Sequence, residues 1–186
     1  IILLAKPQDL IDRDQAWQDL SAFVARSSPP VTLGIVYGRR RRGKSFLLRR
    51  AVAAAGGLHF QALEEGRMAA LARVGDTVAA ARGLPSGVLQ PRDWPEALRL
   101  IASSVAGPDA RRRLLVLDEF PYLLAHSPEL PSAIQQFIDE PKPPGTPPVG
   151  LILCGSALSV MSELLTGSRA LRGRAQLELV CHPFDL

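Results

Sequence analysis

Val31-Thr32-Leu33-Gly34-Ile35-Val36-Tyr37-Gly38-Arg39-Arg40-Arg41-Arg42-Gly43-Lys44-Ser45-Phe46-Leu47-Leu48 decides how this chain is read. Val31 to Tyr37 is a short apolar, β-branched run of the kind that forms a strand buried on both faces, and Gly38 closes it. From Ser45 the apolar residues Phe46, Leu47, Leu48 and Val52 recur at helical spacing until Gly56-Gly57. Between the two, Gly38 to Ser45 satisfies the pattern GxxxxGK[ST] in its required strand-to-helix context. Glycines let the backbone curl so that several N–H groups point at one anion, and the following helix presents the positive end of its dipole to the same spot. The pattern predicts a phosphate-binding loop, or Walker A motif, made of Gly38, Arg39, Arg40, Arg41, Arg42, Gly43, Lys44, Ser45 and Phe46. Lys44 would reach the β and γ phosphates, and Ser45 would place its hydroxyl on Mg²⁺. The side chains of Arg39 to Arg42 read mainly as solvated, because such a cradle works through backbone N–H groups. A DNA-binding run and extra phosphate ligands are the other readings.

Downstream, Arg113-Leu114-Leu115-Val116-Leu117-Asp118-Glu119 is a second apolar strand with a carboxylate at its C-terminal end, where open α/β sheets gather their ligands. It reads as a Walker B strand. Asp118 would hold the Mg²⁺ shell through water and complement Ser45, and Glu119 would polarise the attacking water. A kinase that passes the phosphoryl group to a bound hydroxyl needs no such glutamate, so Glu119 favours hydrolysis. A third apolar strand, Leu151 to Cys154, ends in Gly155-Ser156. If it lies beside the phosphate-loop strand, Ser156 can sense the γ-phosphate; as a plain alternative it caps the helix expected from Ala157 to Leu165. Arg169, Arg172 and Arg174 decorate the next loop, read as solvated, as contacts to a partner subunit or as charge stabilisers of the transferred phosphoryl group, and Arg174 is the candidate for the last. Lys44, Glu119, Ser156 and Arg174 are thus the candidate catalytic set. His59, His126 and His182 are scattered, without metal-ligand spacing.

The remaining elements alternate around these motifs. Residues 9–26 carry Leu10, Ile11, Trp17, Leu20, Phe23 and Val24 at helical spacing and lead into the first strand. Leu58 to Leu63 is strand-like, residues 65–82 and 92–106 are helical by pattern, and Pro131 to Phe137 makes a helix. Pro141 to Pro148 is too proline-dense for regular structure. Gln176 to Val180 forms the last strand. Five strands alternating with helices predict a parallel sheet covered on both faces, hence a three-layer α/β/α sandwich in one domain over residues 1–186, with residues 1–30 as helix and lead-in and 31–186 as the sheet domain.

Composition agrees with this class. The chain has 186 residues, 47% of them hydrophobic and 22% charged, which excludes disorder; only 5% are aromatic, so the core rests on Leu, Val, Ile and Ala. No apolar run approaches the roughly 20 residues that cross a bilayer, so no membrane association is expected. Cys154 and Cys181 lie on apolar strands without CxxC spacing, and no basic segment precedes Ile1-Ile2-Leu3-Leu4; both features point to a reduced, cytoplasmic setting. Of the 22 basic residues behind the net charge of +4, 19 are arginine, and seven of them form two clusters, Arg39 to Arg42 and Arg111 to Arg113. Direct nucleic-acid binding is therefore a possibility raised by charge, without a motif behind it.

Taken in order, Tyr37-Gly38-Arg39-Arg40-Arg41-Arg42-Gly43-Lys44-Ser45, Leu117-Asp118-Glu119-Phe120-Pro121-Tyr122-Leu123, Cys154-Gly155-Ser156 and Gly173-Arg174 resemble the archaeal-type ATPase family. That family belongs to the AAA-like, additional-strand catalytic-glutamate division of P-loop proteins. Asp9-Leu10-Ile11-Asp12-Arg13 is similar to the family's entry motif near the adenine, with Asp12 where glycine is frequent; Arg172 stands where an aromatic is frequent. The resemblance implies a P-loop NTPase core with strand order 5-1-4-3-2, ATP and Mg²⁺ as ligands, and a downstream winged-helix segment that this sequence does not contain. The expected function is ATP hydrolysis coupled to movement of a protein partner, a copy of itself or a further domain. The rival readings are a nucleotide-gated switch with slow hydrolysis, and a small-molecule kinase with Arg169, Arg172 and Arg174 as its lid.

Overall fold

The computed structural model describes residues 4–26, 28–104, 112–166 and 170–182. Its strands are β1 (Val31–Tyr37), β2 (Gly57–Gln61), β3 (Arg113–Asp118), β4 (Val149–Gly155) and β5 (Ala175–Val180). The helices are α1 (Asp14–Val24), α2 (Lys44–Ala55), α3 (Arg67–Ala81), α4 (Trp94–Ser104), α5 (Phe120–His126), α6 (Leu130–Asp139) and α7 (Leu158–Thr166). The strands form one five-stranded sheet in the order β2-β3-β4-β1-β5, parallel throughout. This is the order 5-1-4-3-2, with β4 inserted between the two motif-bearing strands.

Alternation along the strands divides the core into two layers. Leu33, Ile35, Leu115, Leu117, Leu151 and Leu153 face α3 to α7. Val36, Leu114, Val116, Ile152, Leu177 and Leu179 face the other way, onto Trp17, Leu20 and Phe23 of α1 and Leu47, Leu48 and Ala51 of α2. Gly150 is what lets α1 come this close: a Cβ there would lie 2.7 Å from the Phe23 ring. Register fixes where the ligand edge lies. Tyr37 pairs with Gly155 and Val180, and Gln61 with Asp118, so the loops after all five strands emerge on one edge.

Two expectations are corrected. The first helix begins at Asp14 rather than near residue 9, because Leu10 N–H closes a turn on Pro7 O and Asp12 sits in left-handed backbone at φ 50. That conformation explains why glycine would suit position 12. Helix α5 follows β3 where no helix was expected; Pro121 occupies the first turn, where an N–H would have no intrahelical partner.

The second arginine cluster is structural where it is described. Arg112 is 1% exposed and donates to the carbonyls of Arg26 (2.9 Å), Pro29 (2.7 Å), Pro30 (3.3 Å) and Val149 (2.8 Å), clamping the lead-in of β1 to the start of β4. Arg113 donates to Ala55 O at 2.9 Å. Arg111 lies outside the described residues. Among the described residues no helix is long and apolar enough to cross a membrane.

Candidate active site

At the ligand edge, β1 passes into α2 through Gly38 to Gly43. The loop turns through left-handed backbone at Arg41 (φ 61) and Gly43 (φ 74). Leu47 N–H makes the first intrahelical bond, to Gly43 O at 2.9 Å, so the N–H groups of Lys44, Ser45 and Phe46 lie ahead of it, and Gly43 has no side chain to cap them. Uncapped donors and the helix dipole make this an anion seat. Lys44 is buried, and its Nζ donates to Gly38 O (2.7 Å) and Arg39 O (3.0 Å). Neighbouring backbone braces the loop. Cys181 N–H donates to Tyr37 O at 2.7 Å, and Arg13 donates to Arg42 O (2.8 Å) and His182 O (3.0 Å). At Gly38 a Cβ would meet Cys181 O at 2.4 Å.

Asp118 ends β3 at 1% exposure. Burial pushes its pKa up, but hydrogen bonds from His59, Ser45 and Cys154 outweigh this and hold the carboxyl at about 2. Its Oδ1 also accepts the Glu119 N–H at 2.9 Å. A carboxylate so thoroughly solvated by the protein remains charged and is a poor base. The Ser45 hydroxyl beside it supplies a second hard oxygen, a donor pair that fits a small divalent cation such as Mg²⁺. Burial, followed by the Asp118 charge, drives the Cys154 thiol well above its ordinary pKa, so it serves as a packed donor rather than a nucleophile.

Glu119 stands at φ 52, a left-handed conformation that a side chain rarely adopts and that commonly marks a functional position. Its Oε2 accepts the Ser156 hydroxyl at 3.3 Å. Because β4 lies beside β1, Ser156 emerges next to the phosphate loop, which fulfils the condition placed on it. Lys44, Ser45 and Glu119 share a cavity of about 460 Å³ with Arg40, Leu63 and Tyr122. Arg40 donates to the Tyr122 hydroxyl at 3.0 Å, and Arg41 and Arg42 line the same cavity.

The candidate residues Gly38 to Phe46, Asp118, Glu119 and Ser156 therefore meet at one edge, and Arg174 does not. Arg174 precedes β5, whose Ala175 pairs with Leu33, four residues back from Tyr37 and so about 13 Å from the loop along the strand. It forms an exposed ion pair with Asp139 at 2.7 Å. Arg172 is exposed, and Arg169 lies outside the described residues. Arg174, expected to stabilise charge on the transferred phosphoryl group, is thus placed away from this chain's own loop after β1. Sequence reasoning also passed over His59, which donates Nε2–H to Asp118 Oδ2 at 3.2 Å. The signal for it lay in a strand register that no local pattern carries.

No protein-family model matches the chain, and no curated protein matches it in sequence. Solved structures do. A Walker-type ATPase of Pyrococcus abyssi superposes with a TM-score of 0.68 at 21% identity, covering 100% of this chain and 57% of that one. The ORC2 protein of Aeropyrum pernix, solved as ADPNP-ADP complexes, gives 0.62 at 17% identity, covering 95% and 49%. CDC6P of Pyrobaculum aerophilum gives 0.62 at 17% identity, covering 98% and 50%. The chain spans about half the length of these proteins. With its strand order and loop geometry, it has the AAA-like P-loop NTPase fold, the fold of these archaeal proteins.

Proposed function

We propose that this chain is an ATP-binding core that hydrolyses the β–γ phosphoanhydride of ATP with Mg²⁺ and passes the resulting motion to a partner or further domain, residues 1–186 acting as one such core. The observation that carries this reading is the division of labour between adjacent carboxylates. Asp118 is held by several donors and charged at neutral pH, whereas Glu119 has a long contact from the Ser156 hydroxyl and faces the cavity with Lys44.

The N–H groups at the start of α2 would bind the phosphate oxygens, and Lys44 would exchange its two loop carbonyls for them. Ser45 and Asp118 would hold Mg²⁺, which when bound neutralises phosphate charge. Glu119 would orient a water molecule and accept its proton while the water oxygen bonds to the γ-phosphorus. The bond to the β-phosphate oxygen then breaks and ADP leaves. Ser156, released from Glu119, would donate to the γ-phosphate. Steady-state phosphate release by Glu119→Gln tests the assignment: nucleotide binding should persist while turnover falls by about 10²–10⁴-fold, as for loss of a general base. Equal turnover would remove Glu119 from this role.

A second reading, a nucleotide-gated switch, draws on the engagement of both Lys44 and Glu119 with protein groups. It requires tight nucleotide binding, slow turnover and a nucleotide-dependent change in assembly or protease sensitivity. If nucleotide alters neither, that reading fails.

A further inference from the structure

His59 lies on β2, an edge strand, two residues before Gln61, which pairs with Asp118. Side chains two apart share a face, so His59 and Asp118 are diagonal neighbours, a separation that an imidazole can span. Its side chain is 12% exposed against 1% for Asp118, and Nε2 stands 3.2 Å from Oδ2. An ionised carboxylate only accepts, so Nε2 carries the hydrogen. Asp118 Oδ1 is taken by the Glu119 N–H at 2.9 Å, and each carboxylate oxygen thus has its own fixed donor. Of the other two donors, Cys154 offers a weak S–H, and the Ser45 hydroxyl is the one whose oxygen would also ligate the ion while its hydrogen stays on the carboxylate.

We propose that His59 is a positioning residue that locks the Asp118 carboxylate in the orientation that receives a divalent cation beside Ser45. This rests on the reading of Ser45 and Asp118 as the cation-holding pair. With Ser45 assigned to the ion and Cys154 offering only a weak S–H, His59 is the strongest side-chain donor that holds the carboxylate without itself being a ligand. Partners of this kind commonly change metal affinity when lost, though they never touch the metal.

The test measures Mn²⁺ binding by electron paramagnetic resonance with a nonhydrolysable ATP analogue, on the wild-type chain and on His59→Leu, His59→Asn and His59→Gln. Analogue binding in chelator serves as the control. His59→Leu should weaken Mn²⁺ binding by about 10–100-fold. His59→Asn, polar but too short to reach Oδ2, should do the same. His59→Gln, whose amide nitrogen falls near the position of Nε2, should restore affinity close to wild type, with chelator binding equal in all four proteins. Wild-type affinity in His59→Leu or His59→Asn, or a His59→Gln as weak as those two, overturns the role of His59 and leaves the site reading standing. A wild-type chain that binds neither analogue nor Mn²⁺ overturns the site reading, and this proposal with it.

Discussion

Replacing Arg112 by Met should destabilise the fold substantially while leaving nucleotide affinity alone. The guanidinium is buried, among the described residues, without a carboxylate partner, and burial, with repulsion from Arg26 adding to it, pushes its pKa down to about 10, so it is still charged at neutral pH. Its four acceptors are backbone carbonyls, and two of them have other donors: Pro30 O takes the Val149 N–H at 2.8 Å, and Val149 O the Thr32 hydroxyl at 3.5 Å. The carbonyls of Arg26 and Pro29 would lose their donor, at about 1–3 kcal/mol each. Methionine recovers part of this through apolar contact and an end to the cost of burying a charge. A net loss of about 2–4 kcal/mol follows, equivalent to roughly 5–15 °C in Tm for a chain of this size. Urea unfolding followed by circular dichroism measures the loss. Since the clamp lies at the start of β4, opposite the ligand edge, calorimetric titration with nucleotide should not change. A variant within about 0.5 kcal/mol of wild type, the range of neutral surface changes, would refute the clamp.

Further expectations follow from the same geometry. Because the Asp118 pKa is depressed in the folded chain to about 2, its stabilisation is complete above its ordinary value of 3.8 and lost as pH falls through about 2. In metal-free urea titrations Asp118→Asn should lack about 2 kcal/mol of the wild-type loss across that window, and parallel curves would contradict this. Gly150→Ala should cost about 1–3 kcal/mol by overpacking, since its Cβ would meet Phe23 at 2.7 Å and Leu114 at 3.1 Å. Coupling Gly150→Ala with Phe23→Leu should give back part of that loss, whereas strict additivity would place the strain elsewhere. Arg174→Ala, which breaks only an exposed ion pair, should leave thermal midpoint and nucleotide affinity unchanged in the dilute chain; a weakened affinity would return Arg174 to the site.

The strand–loop–helix from Val31 to Leu48 was legible because its signals are local: an apolar run, glycines at the turn, then helical spacing. Asp118, Glu119 and Ser156 were legible for the same reason, each standing at the end of an apolar strand. The strand order was not contained in any periodicity and came from family resemblance. What escaped depends on register or burial. His59 and Asp118 are 59 residues apart in sequence and meet only because β2 pairs with β3 at Gln61–Asp118. Arg112 looks like its neighbour Arg113 in sequence, and only the packing of β3 against the lead-in buries it. Helix α5 was hidden by Pro121, a breaker inside a helix but compatible with a first turn. Arg174 follows a glycine like a loop residue near the ligand, yet it precedes a parallel strand and so falls at the far edge.

Calorimetric titration of the chain with MgATP, set beside Lys44→Ala, tests the central claim most directly. The arrangement of α2, Lys44, Ser45 and Asp118 predicts saturable heat for wild type and none for an equally folded Lys44→Ala. No heat from well-folded wild type, or identical isotherms for the two proteins, would contradict it.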